Sequence, residues 1–293
     1  MARKRYLKKT ALNDARELFL SAVDPARLGT EDLAIQEALG RITAQPIFAK
    51  ISSPHYHASA MDGICVRAED TFGATEFCGK KLQRAGSDGA AAGSFAYVDT
   101  GNALPAWANA VIMIEKVHQI DERTVEIFES VPPWNHVRLV GEDVVATELL
   151  LPRSHRLRPY DLGALLAAGH TRVEVKAKPR IGIIPTGDEL IEPGEAAAPG
   201  AVIDFNSTVL AGFVREWGGD PVKYPRCGDD LSALKGAIRR ATQECDVVTI
   251  IAGSSAGEHD LTADAIDAVG QVLAHGIDVM PGKPAVLGCV ADK

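Results

Sequence analysis

Hydrophobic residues in the last third of the chain fall into short runs that alternate with amphipathic stretches. The short runs predict buried strands, and apolar residues at helical spacing predict the helices between them. The predicted strands are 181–184, 222–224, 247–251 and 271–280, and the predicted helices are 210–217, 231–241 and 262–269. Strands that alternate with helices form a parallel sheet, so we predict an α/β domain over 178–293.

The middle of the chain has a different pattern. Residues 46–140 contain short β-type runs separated by proline and glycine, which is typical of a β-rich module with tight turns. The runs are 64–66, 95–98, 111–114 and 124–128, and 84–93 is predicted as an exposed loop.

The two flanking segments, 1–45 and 141–177, are mixed and mainly helical in pattern. Helices are predicted at 11–23, at 30–39 with Thr30 as the N-cap, and at 161–168 with Asp161 as the N-cap and Gly169 after the end. Val173 and Val175 alternate with charged residues, as in a half-buried strand. The simplest arrangement is one discontinuous linker domain that carries the β-rich module as an insertion.

Composition narrows the functional classes. The net charge of −8 argues against a general nucleic-acid binder, whose affinity depends on many lysine and arginine contacts to phosphate. The five cysteines show no CxxC spacing, which indicates a reducing compartment rather than a disulfide framework or a zinc ribbon. The basic N-terminus is not followed by an apolar segment, and no run approaches the ~20 apolar residues that span a bilayer. We therefore expect a cytoplasmic protein without a membrane anchor.

Three loops with chemically active residues follow predicted strands of the α/β domain. Because ligands bind outside the carboxyl ends of parallel strands, we expect the loops to share one site. They are Thr186, Gly187, Asp188 and Glu189; then Gly253, Ser254, Ser255 and Gly257, followed by His259 and Asp260; and finally Pro281, Gly282, Lys283 and Pro284. The glycine- and serine-rich loop favours an oxyanion or phosphate, and Lys283 would add a positive charge.

Carboxylates beside such an anion would repel it unless a cation bridges them, so Asp188, Glu189 and Asp260 point to Mg²⁺. Neither GxGxxG nor GxxxxGK[ST] is present, which disfavours a nucleotide-dependent oxidoreductase on the same sheet. His55 and His57 share one face of an extended segment and are interpreted as surface histidines, and Trp134 and Trp217 as packing residues.

Six motifs resemble those of the molybdopterin molybdenumtransferase family, which includes MoeA and the gephyrin E domain. In this chain they read SAMDG at 59–63, TGNALP at 100–105, RLVGED at 138–143, TGDEL at 186–190, GSSAGEHD at 253–260 and PGKP at 281–284. The resemblance implies a linker domain, an inserted β domain and a molybdopterin-binding domain, in a chain that stops before the family's C-terminal β domain. It also implies homodimers with the active site between protomers.

The resemblance further implies that adenylylated molybdopterin and molybdate react in the presence of Mg²⁺ to give the active cofactor and AMP. It implies metal-binding or catalytic carboxylates at Glu189, at Asp229 or Asp230, and at Asp260, and an oxyanion and molybdate site lined by Ser255, Lys283 and Pro284. The residues implied to face this site from the partner subunit are Asp62, Thr100, Arg138 and Asp143.

The chain departs from the family pattern at three positions. Met280 precedes PGKP where the family has lysine, Gly276 stands at a second lysine position unless His275 substitutes, and Ala252 replaces the first glycine of a GG pair. Each lost charge-assisted hydrogen bond to an oxyanion would cost about 1.5–3 kcal/mol. The alternative hypothesis is therefore a non-catalytic module that binds molybdopterin or the molybdenum cofactor as a carrier, sensor or scaffold.

Overall fold

A computed structural model describes residues 9–86, 90–251, 261–280 and 282–290. It divides into two compact units. One, the α/β unit, contains the residues up to Glu31 and those from Lys176 onwards, and the other, the β-rich unit, is Asp32–Val175. The three-part division near residues 45, 141 and 178 remains a prediction.

A six-stranded sheet dominates the β-rich unit. Its strands are β4 (Gly63–Val66), β5 (Lys80–Arg84), β6 (Ser94–Val98), β7 (Ala110–Met113), β8 (Val117–Gln119) and β9 (Thr124–Ile127), in the spatial order β7-β4-β6-β5-β9-β8. Only β5 and β6 pair in parallel. Alternate residues of the sheet, among them Ile64, Leu82 and Phe95, are fully buried in one core, which confirms the four predicted β runs.

A second core in this unit is built by the segments on either side of the sheet. It includes Ile35, Leu157, Leu165 and Val175. The elements around it are β2 (Ile47–Phe48) paired with β11 (Leu149–Leu151), helix α2 (Pro159–Ala167) and β12 (Arg172–Lys176). β3 (Ala58–Ser59) and β10 (Val137–Arg138) form a short antiparallel pair. Two of the six motifs, at 59–63 and 138–143, begin in this pair.

The helix predicted at 30–39 is wrong. These residues form strand β1 (Thr30–Ala34), hydrogen bonded to β12, and then a single 3-10 turn, Ile35–Glu37. The Ile35 amide donates to the Thr171 carbonyl at 3.1 Å, and Ile35 and Ala38 are fully buried. Pairing with β12 and burial of these two side chains outweigh a weak local helix preference.

Helix α2 confirms the prediction for 161–168, although it begins earlier than expected. Its N-cap is Arg158, and Asp161 lies at the third helical position, where its Oδ2 accepts the Arg158 backbone N–H at 2.8 Å. The carboxylate therefore caps the helix from inside its first turn rather than from the N-cap position. Gly169 follows the helix with φ +86°, as predicted for a helix end.

The α/β unit is built on a three-stranded parallel sheet. Its strands are β13 (Arg180–Pro185), β16 (Asp220–Lys223) and β17 (Val247–Ile251), with β13 in the centre. The helices are α1 (Leu12–Ala22), α3 (Asn206–Glu216), α4 (Leu231–Glu244) and α5 (Leu261–Val269), and a two-residue parallel pair joins β14 (Leu190–Ile191) to β15 (Val202–Ile203). Among the described helices, none has the length and apolar character needed to cross a membrane.

The last predicted strand does not join this parallel sheet. Residues Gly270–His275 (β18) instead pair antiparallel with Val286–Val290 (β19), a strand that the sequence pattern missed. Gly276 at φ +89° and a turn in which the Ala285 amide donates to the Gly282 carbonyl at 3.0 Å reverse the chain. The Lys283 loop consequently lies at the turn of a hairpin, not at the carboxyl end of a strand in the parallel sheet.

The two tryptophans interpreted as packing residues are both exposed. Trp134 is 46% exposed and Trp217 is 76% exposed. On helix α3, the side chains of Leu210 and Val214 are only partly buried. Phe213 and Trp217 are exposed, and their rings stack with 5.2 Å between the ring centroids. The apolar spacing of this helix therefore predicted its existence correctly but not which side chains it buries.

Candidate active site

The first loop of the candidate site leaves the central strand β13. Thr186 is buried, and both its amide and its hydroxyl donate to the Ile251 carbonyl, at 2.8 and 2.9 Å, which ties the loop to the end of β17. Gly187 follows with φ +130°, and a Cβ at this position would lie 2.5 Å from Glu189 Oε2. The Glu189 carboxylate thus folds back over a position that only glycine can occupy.

A further loop, 226–230, which was not among the three predicted loops, follows β16 and is hydrogen bonded to the first. Arg226 donates from one guanidinium nitrogen to the carbonyls of Gly187 and Asp188, at 3.3 and 2.8 Å. Asp188 Oδ1 in turn accepts the Asp229 amide at 3.4 Å and lies 2.8 Å from where a Cβ on Gly228 would be. The side chains of Arg226 and Asp188 therefore each form hydrogen bonds with the backbone of the opposite loop, and these bonds hold the two loops together.

Negative charge accumulates where the loops meet. Burial raises the pKa of the Cys227 thiol, and the carboxylates of Asp230, Asp229 and Asp188 raise it further. Asp230 also has a structural role, because its Oδ1 accepts the Ala233 amide at 2.6 Å as the N-cap of α4. An anion would be repelled from this region unless a cation bound there first.

Parts of two of the three predicted loops, together with the 226–230 loop, line one cleft in the α/β unit. The cleft has a volume of about 2110 Å³, and the predicted residues on its wall are Thr186, Glu189, Asp229, Gly282 and Pro284. Lys283 lies between the last two, on an exposed turn held by the Ile277 amide, which donates to the Lys283 carbonyl at 3.1 Å. The 186–189 and 226–230 loops therefore line the same cleft as the Lys283 loop, which reaches it from the β18–β19 hairpin.

Several predicted residues lie outside the described part of the chain. They are Gly253, Ser254, Ser255, Gly257, Asp260 and Pro281, together with His259. Their proposed roles in oxyanion and metal binding remain predictions from the motif.

The remaining predicted residues lie together in the β-rich unit. Asp62 Oδ1 accepts both the amide and the hydroxyl of Thr100, at 2.7 and 2.8 Å, and these hydrogen bonds lower the pKa of Asp62. Arg138 forms an ion pair with Asp143 at 3.2 Å. Pairing of Arg138 with Ala58 in the β3–β10 ladder places the motifs at 59–63 and 138–143 side by side.

The side chains around the cleft fit Mg²⁺ by the chemistry of their donors. The described residues contain no group of three or more histidine, cysteine or carboxylate side chains arranged to hold a metal ion. Mg²⁺ does not require one, since it is commonly held by one or two carboxylates, with water and substrate phosphates as the other ligands. Glu189 and Asp229, which both line the cleft, are two carboxylates of this kind.

Comparison with known proteins identifies the family of this chain. Residues 10–169 match the model of the MoeA N-terminal region (domains I and II), and residues 182–293 match that of a probable molybdopterin binding domain. The chain is 37% identical to a molybdopterin biosynthesis protein of Methanocaldococcus jannaschii, over 90% of this chain and 68% of that protein. The chain belongs to the MoeA family.

Other relatives support the same assignment. A molybdopterin molybdenumtransferase of Haemophilus influenzae is 30% identical over 94% of this chain and 69% of its own length. The crystal structure of a MoeA protein from Pyrococcus horikoshii superposes with a TM-score of 0.85 at 34% identity, covering 98% of this chain and 73% of that chain. Family membership places the chain in molybdenum cofactor biosynthesis.

Sequence reasoning missed Arg226, which joins the two carboxylate loops. The available signal was its position three residues before Asp229, in the loop after β16. That loop leaves the carboxyl end of a predicted strand, as the TGDEL and glycine-serine loops do, and it could have been included by the same rule.

Proposed function

We propose that this chain catalyses the Mg²⁺-dependent insertion of molybdate into adenylylated molybdopterin, with release of AMP, as a cytoplasmic homodimer. The observation that carries the proposal is the interlocking of the loops after β13 and β16, with Glu189 and Asp229 on the wall of one cleft. Membership of the MoeA family supplies the substrate class.

The cleft carboxylates act as the metal-binding groups in this proposal. Glu189 and Asp229 would hold Mg²⁺, and Asp260 completes the set according to the motif. When bound, Mg²⁺ supplies the positive charge that offsets charge developing on the phosphate of AMP as it leaves. Thr186 and Arg226 fix the loop backbone, so that the Glu189 carboxylate does not have to be reordered when substrate binds.

Lys283 acts as the cation for the second substrate. Molybdate is a tetrahedral dianion, which suits an ammonium group, a serine hydroxyl and backbone N–H groups. Lys283 lies between Gly282 and Pro284, which both line the cleft, and Ser255 is added from the motif. A charge-assisted hydrogen bond from this lysine is worth about 1.5–3 kcal/mol.

In the homodimer, Asp62, Thr100, Arg138 and Asp143 of one protomer would complete the site of the other. The support for this assignment is the match of their three motifs to the family and the hydrogen bonds that pre-order them. Hydrogen bonds from Thr100 orient the Asp62 carboxylate and lower its pKa, and Asp143 orients the Arg138 guanidinium. An ionised aspartate and an oriented arginine are suited to bind polar groups of the substrate.

The decisive assay is AMP release by the purified chain. We expect AMP to form when adenylylated molybdopterin, molybdate and Mg²⁺ are all present, and EDTA to abolish its formation. Tight molybdopterin binding at micromolar concentration without AMP release would select the alternative, a non-catalytic carrier, sensor or scaffold. That alternative is favoured by one observation, the 85% exposed Met280 side chain at a position where the family has lysine.

A further inference from the structure

The β-rich unit contains a second cavity, to which the sequence analysis assigned no role. Its volume is about 650 Å³, within the range of about 300–1,000 Å³ typical of small-molecule sites. Four ring-bearing side chains line it, namely Tyr56, His57, Trp107 and Trp134. We call this cavity the aromatic pocket.

The aromatic pocket lies beside the Asp62–Thr100 pair. The Tyr56 hydroxyl donates to the carbonyl of Gly101 at 3.3 Å, and the Leu104 amide donates to the His57 carbonyl at 2.9 Å. The loop that carries Thr100 therefore also forms one edge of the pocket. A molecule bound in the pocket would be close to a pair of side chains that is already assigned to the proposed reaction.

Trp134 is held in the pocket by an unusual backbone conformation. Its φ is +67°, although bulky residues rarely adopt positive φ, and its amide donates to the Asn109 carbonyl at 2.6 Å. The neighbouring Asn135 side chain donates to the Val111 carbonyl at 2.9 Å and fixes the same turn. Backbone strain of this kind is concentrated at functional sites. Here it holds an indole that is 46% exposed against His57, at 4.9 Å between ring centroids.

Polar groups at the edge of the pocket have defined orientations. His57 Nδ1 accepts the Val140 amide at 3.2 Å, so the neutral ring carries its proton on Nε2 and can donate from there. Asn109 Oδ1 accepts the Ala68 amide at 2.8 Å, which leaves its NH₂ group as a donor, and Arg67 is anchored by the Ala90 carbonyl at 2.7 Å. Glu69 adds an acceptor to the same lining.

We propose that the aromatic pocket binds a fused bicyclic nitrogen heterocycle, with its face on Trp134 and its edge toward Arg67, Glu69 and Asn109. Aromatic faces bind planar rings by stacking, and an edge with donors and acceptors distinguishes a nitrogen heterocycle from a hydrocarbon ring. The choice of ring rests on the proposed function, because both the adenine and the pterin of adenylylated molybdopterin belong to this class.

Tryptophan fluorescence tests the proposal directly. The chain has three tryptophans, and in a Trp217→Phe background only Trp107 and Trp134, which both line the pocket, remain. We expect adenosine and free pterin, titrated separately, to quench this fluorescence, and the tighter of the two identifies which part of the substrate the pocket takes. Ribose 5-phosphate, which has no ring system of this class, should leave the fluorescence unchanged.

Two variants localise the binding. Trp134→Leu should weaken the preferred ring about tenfold or more, as loss of one stacking contact does, when measured by equilibrium dialysis. Glu69→Gln, an exposed change at the edge, should weaken it by a smaller factor without altering the fold. Trp217→Phe alone, in the α/β unit, should leave binding unchanged, and thermal unfolding of each variant checks that it remains folded.

Unchanged affinity for both rings in the folded Trp134→Leu and Glu69→Gln variants would overturn the proposal. Binding of ribose 5-phosphate as tight as that of adenosine or free pterin would also overturn it, because the pocket would then not require the ring system. AMP release measured on the same preparations separates the two hypotheses. Turnover without ring binding in the pocket would leave the proposed function in place and remove only the pocket.

Discussion

The contact between Glu189 and Gly187 shows how a single glycine can determine the position of a carboxylate. With φ +130° and a carboxylate oxygen 2.5 Å from the place of a Cβ, position 187 admits no side chain without displacing Glu189. The motif TGDEL therefore encodes a backbone shape as well as a charge. Arg226 maintains that shape by donating to the carbonyls of Gly187 and Asp188.

Gly187→Ala is expected to destabilise the chain by about 1–3 kcal/mol through backbone strain. Displacement of Glu189 by about an ångström should also reduce AMP release by about 100-fold. Urea unfolding and the AMP assay measure the two effects separately.

Gly200→Ala is the matched control for this change. Gly200 has φ +93°, so alanine is strained there too, but a Cβ would meet nothing within 4 Å. A similar loss of stability with normal AMP release is expected. Equal loss of activity in both variants would show that strain, and not the position of Glu189, limits turnover.

At the scale of elements, the predictions were correct where the local pattern of apolar residues determines the structure. They were wrong where pairing between strands determines it. The β runs of the β-rich unit and the β13, β16 and β17 strands follow from apolar period and turn residues. Residues 30–39 were predicted as a helix because Thr30 and Gly40 look like caps, yet β12 provides a pairing partner more than 130 residues away, as in the contact between Arg172 and Asp32. The β18–β19 hairpin was also missed, because its antiparallel pairing, and not the apolar pattern of either strand, determines where the two strands lie.

The start of α2 provides a stability test at this scale. Hydrogen bonds from the Arg158 side chain lower the pKa of Asp161 below its ordinary value of 3.8, with His155 and the Arg158 amide contributing further. A carboxylate whose pKa is lower in the folded chain than in the unfolded chain stabilises the fold at pH values above the unfolded pKa. This contribution is lost as the pH falls through the folded pKa. Asp161→Asn should therefore destabilise the chain at pH 7 by about 1–3 kcal/mol. This destabilisation should become smaller as the pH falls below about 4.

The control for this variant is Asp267→Asn, which changes an exposed carboxylate on α5. Its stability should lie within about 0.5 kcal/mol of the parent chain. A pH-independent difference between Asp161→Asn and the parent, measured by urea unfolding from pH 7 to pH 3, would contradict the ion-pair explanation of the cap.

At the scale of the whole molecule, the six motifs are distributed over two units. SAMDG, TGNALP and RLVGED lie in the β-rich unit, and TGDEL and PGKP in the α/β unit, with the glycine-serine motif outside the described residues. Sequence reasoning found this set because motif residues can be matched position by position. The loop of Arg226 could have been included by the rule for strand ends, but the contacts of Arg226 with Gly187 and Asp188, like the aromatic pocket, depend on residues far apart in the chain.

Complementation between variants tests whether protomers share a site. At the Mg²⁺ concentration that is half-maximal for the parent chain, Glu189→Gln and Asp62→Asn should each release AMP much more slowly than the parent. If the two residues of one site come from different protomers, an equal mixture allowed to exchange subunits should recover about a quarter of the parent activity, because half the dimers then contain one intact site. Failure to recover activity, although mixed dimers are detected by native mass spectrometry, would place both residues in the same protomer's site.

The Mg²⁺ concentration needed for half-maximal AMP release tests the central claim most directly, namely that the carboxylates of the two interlocked loops hold the metal ion. Glu189→Gln and Asp229→Asn each remove one charged ligand, so each should raise this concentration by about tenfold or more, as the loss of about 1.4 kcal/mol of binding does. Glu216→Gln, an exposed change on α3, should leave it unchanged. The same Mg²⁺ dependence in the parent chain and in both loop variants would contradict the account.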